Sequence, residues 1–127
     1  MALTAEQRTF LEGTTPRYTC TIVDEDNEPI PDTDLTTLTV TIHDVATGTI
    51  INDREQQDAL NDNGVTVNTD GELVFDMEAD DMAIVSTTIA EGAIEEHCLL
   101  FEWTYNSGDK AGKHRVVLLV KSLDHVP

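Results

Sequence analysis

The residues predict an all-β sandwich of about seven short strands, and three observations lead there. Short runs alternate apolar with polar side chains, the period of a half-buried strand. Turn signals such as Thr-Gly, Asn-Gly and Asp-Gly separate those runs at intervals of roughly eight to twelve residues. The heaviest apolar stretch, His97 to Leu123, is two strand-like runs joined by the polar segment Asn106 to Lys113.

That C-terminal stretch organises the rest. Leu99, Phe101, Trp103 and Tyr105 share one strand face, and Val116, Leu118 and Val120 share a face on the return run, with His114 at its start. Matching apolar to apolar pairs Tyr105 with His114, Trp103 with Val116, Phe101 with Leu118 and Leu99 with Val120. A slip of one residue would set the aromatics against Lys113, Arg115 and Lys121, so burial favours the first register. The opposite face then carries Leu100, Val117 and Leu119 inside a polar rim that includes Glu102, Arg115 and Lys121. Such a patch suits a contact surface. Either a neighbouring subunit buries it, or the N-terminal segment folds back over it through Leu3, Phe10 and Leu11. These six are the candidate interface residues.

Taken in order, Thr4-Ala5-Glu6-Gln7 is a weak capping box before Phe10 and Leu11, with Gly13 as a stop. Residues 1–16 are therefore expected either as a short helix or as an arm that orders on a neighbour, and 17–127 as one domain. Tyr18 to Ile22 reads as the first strand. The run Asp24 to Glu28, ended by Pro29 and Pro31, is a charged loop that cannot continue a sheet interior. Leu38 to Ile42 points Leu, Val and Ile inward, with Thr and His43 outward. Asp44 to Thr49 is a tight hairpin in which Gly48 supplies positive φ. Ile50 to Asn52 begins a return strand, and 53–62 is a polar helical turn or an irregular link anchored by Ala59 and Leu60. Asn63-Gly64 and Asp70-Gly71 are turns that bracket the strand Val65 to Val67 and lead into Leu73, Phe75 and Met77 on one face. Met82 and Val85, three apart, mark one helical turn. Ser86 to Glu96 has no period and is expected as a mobile loop.

Composition excludes several functions. With 25 acidic and 7 basic residues the formal charge is −18, so phosphate backbones are repelled and nucleic acid is not an expected partner. No apolar run approaches the roughly 20 residues of a membrane helix. The opening residues lack a basic region followed by an apolar core, so no secretory signal is read there. A soluble protein made in a cytoplasm is the expectation. The acidity either keeps subunits apart before assembly or reflects a high-salt habitat. Cys20 and Cys98 lie on different strands, resembling the inter-sheet pair of immunoglobulin domains. Cys98 alternates out of phase with Leu99 and Phe101, however, so two buried free thiols are expected.

The order of motifs carries a resemblance. An acidic turn and Pro precede Leu-Thr-Val-Thr-Ile, then Asp-x-x-Thr-Gly-Thr, Asn-Gly, Gly-x-Leu-x-Phe, Ala-Asp-Asp, Phe-Glu-Trp-Thr-Tyr and Lys-His-Arg-Val. Over about Tyr18 to Val120 this pattern resembles the small immunoglobulin-like modules of tailed-phage particles, such as the N-terminal domain of siphophage upper baseplate proteins. The resemblance implies an immunoglobulin-like sandwich and a structural role in a virion: capsid decoration, neck or tail accessory subunit. Coat, neck or tail proteins and further copies of the chain would be the partners. Unlike in the baseplate protein, no further domain is expected after the module, so the resemblance does not fix a place on the particle.

No catalytic, cofactor or metal residue is expected. The Asp24–Glu28 cluster lacks the Gly and the bidentate Glu of a calcium loop. His43, His97, His114 and His125 show no metal-ligand spacing, so a zinc site would need convergence in space. Ser86 and Ser107 sit in no Gly-x-Ser-x-Gly elbow, and the loop Gly108 to Gly112 leads into no helix. A non-enzymatic virion subunit is the first functional expectation. The alternative is an immunoglobulin-like adhesin that recognises carbohydrate or host protein, disfavoured because the aromatics fall on core phases.

Overall fold

Alternating burial sorts the strands into two layers. The computed structural model describes residues 6–86 and 92–123. Among them are strands β1 (Glu6–Leu11), β2 (Arg17–Thr21), β3 (Leu35–Asp44), β4 (Gln57–Asp58), β5 (Val65–Val67), β6 (Glu72–Asp76), β7 (Ile94–Tyr105) and β8 (Lys110–Lys121). One sheet has the order β1-β8-β7-β3-β4 and the other β2-β6-β5. That order makes the chain an immunoglobulin-like sandwich, with β1 added along the free side of β8. A 3-10 turn, Ala79–Met82, stands where one helical turn was expected.

The core lies between the layers. Leu38, Val40 and Ile42 of β3, Leu99, Phe101 and Trp103 of β7 and Val116, Leu118 and Val120 of β8 face Tyr18, Leu73, Phe75, Val65 and Val67 of the second sheet. Phe75 meets Phe101 edge-on at 5.9 Å and 82°, and Tyr18 stacks on Phe101 at 6.2 Å. Each such side chain, fully buried, contributes about 1.5–3 kcal/mol. The faces are those the alternation predicts. Cys20 and Cys98 are both free; Cys98 is buried and turned out of the main core as expected, whereas Cys20 is only half-buried.

The register of the closing hairpin is not the predicted one. Tyr105 pairs with Lys110, Trp103 with Gly112, Phe101 with His114 and Leu99 with Val116. Every β7 residue thus meets a partner four residues earlier on β8 than apolar matching suggests. Because four is even, each side chain keeps its face. The cause is the turn. Asn106, Ser107 and Gly108 all take positive φ, and the Gly108 N–H donates to the Tyr105 carbonyl at 3.1 Å. Residues 110–113, read as loop, therefore continue the strand.

Two other expectations are corrected, and one left open is decided. The segment Glu6–Leu11 is neither helix nor detached arm. It is a strand, parallel to β8, with Glu6 opposite Val116 and Leu11 opposite Lys121. Ile94 to Glu96 belong to β7 rather than to a loop, while 87–91 of that expected loop lie outside the described residues. Of the two expected forms of 53–62 the irregular link is the one found, and it carries the short strand β4 and the buried Arg54.

Arg54 is 2 % exposed yet fully used. Its Nε and Nη2 donate to Asp81 at 2.5 and 3.1 Å, Nη2 also to Glu78 at 2.9 Å, and Nη1 to Gln57 and to the Asn63 carbonyl. The guanidinium lies 4.9 Å over the Phe75 ring. Asp81 in turn accepts from the Glu78 N–H at 2.7 Å and from Asn52. A buried ion pair tolerates desolvation only with such complete hydrogen bonding. It ties the 53–62 link to the 3-10 turn.

Candidate functional site

On the outer face of the five-stranded sheet, threonines and charges dominate except in one place. Leu100 of β7 and Leu119 of β8 are half-buried there, and Leu11 of β1, two residues beyond Thr9 opposite Leu119, is 45 % exposed. Arg115 lies opposite Leu100, Lys121 opposite Leu11, and Lys113 bridges Glu102 at 3.5 Å. The shifted register sets Glu96 rather than Leu100 opposite Leu119, so the two leucines do not pair as expected; they lie on either side of Val117 in an aliphatic patch with a charged rim. Val117 is 5 % exposed and forms its floor rather than its surface. Phe10 faces inward and packs against the core. The N-terminal strand therefore widens this face instead of folding over it, and Leu3 lies outside the described residues.

The loops at one end of the sandwich hold a second polar set. Glu25 accepts hydrogen bonds from the Lys110 ammonium and the Tyr105 hydroxyl. The Lys110 contact first, then the Tyr105 bond, holds the Glu25 carboxyl down at about 2. Asp24 Oδ1 accepts the backbone N–H groups of Asp26 and Glu28, at 2.9 and 3.0 Å, so it is occupied in shaping the acidic turn. A cleft of about 780 Å³ runs beside them between Pro31, Asp34 and Asn106.

Elsewhere, the Tyr18 hydroxyl bonds His114 Nε2 at 2.7 Å, and burial foremost raises the Tyr18 pKa far above its ordinary value. Burial also pushes the Cys20 thiol up to about 11, which makes it a poor nucleophile.

At the opposite end from the closing turn, Asp44, Glu95 and His97 come together. One donor atom from each lies within 4.8 Å of the others, and among the described residues this is the group that could hold a metal ion. Sequence spacing did not reveal it, but phase does. Asp44 continues the inward row of Leu38, Val40 and Ile42, and Glu95 and His97 continue that of Leu99 and Phe101. Charged residues on core phases were the available signal.

No protein-family model matches the sequence, and no curated protein does. Two solved structures align with it: a chimeric titin Z1Z2 carrying a KLER peptide from decorin, and titin domains Z1Z2 in complex with telethonin. The first is 15 % identical with a TM-score of 0.37, covering 92 % of this chain and 87 % of that one. The second is 17 % identical with a TM-score of 0.36, covering 92 % and 44 %. The strand order, rather than these alignments, makes the chain immunoglobulin-like.

Proposed function

We propose that the chain is a non-enzymatic structural subunit of a tailed-phage virion, a capsid decoration, neck or tail accessory protein, held on a larger coat or tail protein by the outer face of its five-stranded sheet. The outward aliphatic patch, Leu11 and Leu119 on one side of Val117 and Leu100 on the other, inside its charged rim, is the observation that supports this reading. An isolated sandwich gains nothing by showing water that patch, whereas an interface core is built of such residues. A charge of −18 keeps free copies apart until a specific contact overcomes repulsion.

Particles purified from cells carrying the gene are expected to contain the chain by mass spectrometry. Leu119→Asp should leave the melting curve near that of the wild type and remove the chain from particles. Expression without incorporation of the wild type, or normal incorporation of the variant, would sink the proposal. The adhesin reading draws on the polar cleft beside Tyr105 and Lys110. It gains ground if a glycan or host-protein array gives saturable binding that Tyr105→Ala abolishes.

A further inference from the structure

The interface makes no use of the acidic pair beside His97. Asp44 ends β3 and pairs across the sheet with His97, and Glu95 precedes His97 by two residues on the same face of β7. Their side chains are 4 %, 0 % and 10 % exposed for Asp44, His97 and Glu95. Each carboxylate is held from behind. Asp44 Oδ2 accepts the N–H and hydroxyl of Thr47 at 3.1 and 2.6 Å, while Glu95 accepts the N–H groups of Val85 and Ser86 at 2.7 and 3.0 Å. Asp44 Oδ1 and Glu95 Oε1, the oxygen that also takes the Val85 N–H, face inward. Asp44 Oδ1 has no hydrogen-bond partner and stands 3.8 Å from His97 Nε2, which meets Glu95 Oε1 at 2.5 Å.

We propose that Asp44, Glu95 and His97 bind one Zn²⁺ ion. The site sets two buried carboxyl groups against a single imidazole, a donor set that one divalent cation can engage all at once. A buried carboxylate oxygen without a donor is costly, and coordination removes that cost. One imidazole with two carboxylates suits zinc, whereas calcium takes six to eight oxygens. Zinc bonds of 2.0–2.2 Å in a tetrahedron set donors about 3.4 Å apart. The Asp44–His97 separation is already close to that, and Glu95 opens by about 0.9 Å as the metal replaces the proton between it and His97. Asp44 and Glu95 also line a cleft of about 640 Å³ with Thr47, Ser86 and Ile94, which offers water or a partner's group the fourth position. His97 Nδ1 has no partner. The tautomer is therefore free to present Nε2 to the metal, but the supporting bond typical of tight sites is missing.

Metal-stripped full-length protein titrated with Zn²⁺ in a calorimeter is expected to take up one ion per chain. At about a hundredfold excess over Kd the melting temperature should rise by on the order of 10 °C. Asp44→Asn and His97→Gln should each weaken binding by about a hundredfold or more. Should either variant fail to fold, Co²⁺-loaded wild type decides: a paramagnetically shifted ring resonance belonging to His97 supports the site. The assignment is overturned if the wild type shows no saturable uptake, if both variants keep their affinity, or if the shifted ring is His43, His114 or His125.

Discussion

The indole of Trp103 lies on Gly112, its cross-strand partner on β8. A Cβ built at Gly112 would come within 2.5 Å of the indole Nε1 and 2.6 Å of its neighbouring ring carbon. The absent side chain lets the ring lie flat across the hairpin and close one edge of the core. Trp103→Ala should cost about 3–5 kcal/mol. Gly112→Ala, which displaces a buried ring, should cost about 1–3 kcal/mol. Urea melts measure both. A neutral Gly112→Ala would mean that the ring does not rest there.

Arg54 and Asp81 depend on each other. Arg54→Met leaves Asp81 as an uncompensated buried charge and should destabilise by about 3–5 kcal/mol. Adding Asp81→Leu should recover much of that loss, since a packed apolar pair often replaces a buried ion pair without penalty. A double-mutant cycle with strictly additive losses would show that the two do not interact.

Glu25 supplies the acid dependence whose sign is clear. Its carboxyl is held at about 2, below the ordinary 4.5, by Lys110 and then Tyr105. A depressed carboxylate stabilises the fold above its unfolded pKa and loses that contribution as pH falls toward the folded one. The window therefore runs from about pH 5 down to about pH 2. Glu25→Gln should flatten this part of the stability curve, and added salt should do the same because the contact is at the surface. An NMR titration of the Glu25 carboxyl with a midpoint near 4.5 would refute it.

Hydrogen exchange separates the N-terminal strand from an unattached arm. Amides of Glu6–Leu11 that bond to β8 should exchange more slowly in the isolated protein than those of the exposed turn Asn106–Asp109. Equal, fast exchange in both segments would restore the arm.

Strand faces were legible in the sequence. Alternation has a period of two, and burial of one face acts on a whole row at once, so Leu38-Val40-Ile42, Leu99-Phe101-Trp103 and Val116-Leu118-Val120 could be placed without coordinates. The Asp44–Gly48 turn was equally plain, because Gly48 takes the positive φ that its position demands. That Leu100 and Leu119 each point outward was recognisable for the same reason, but their expected pairing was not borne out, since Arg115 stands opposite Leu100 and Glu96 opposite Leu119.

Partners were decided only by the tertiary structure. An even shift of register leaves every face unchanged, so alternation could not tell Trp103 opposite Val116 from Trp103 opposite Gly112. Thr9 and Phe10 pair with Leu119 and Val120, a parallel match that closes across almost the whole chain and has no local signature. Arg54 reads as loop because charge predicts exposure; it is buried because Asp81, distant in sequence, meets it with a matched carboxylate. Asp44, Glu95 and His97 each sit visibly on a core phase. That the three converge is a consequence of β3 and β7 running side by side, since a spatial cluster exists only once the strands that carry it have paired.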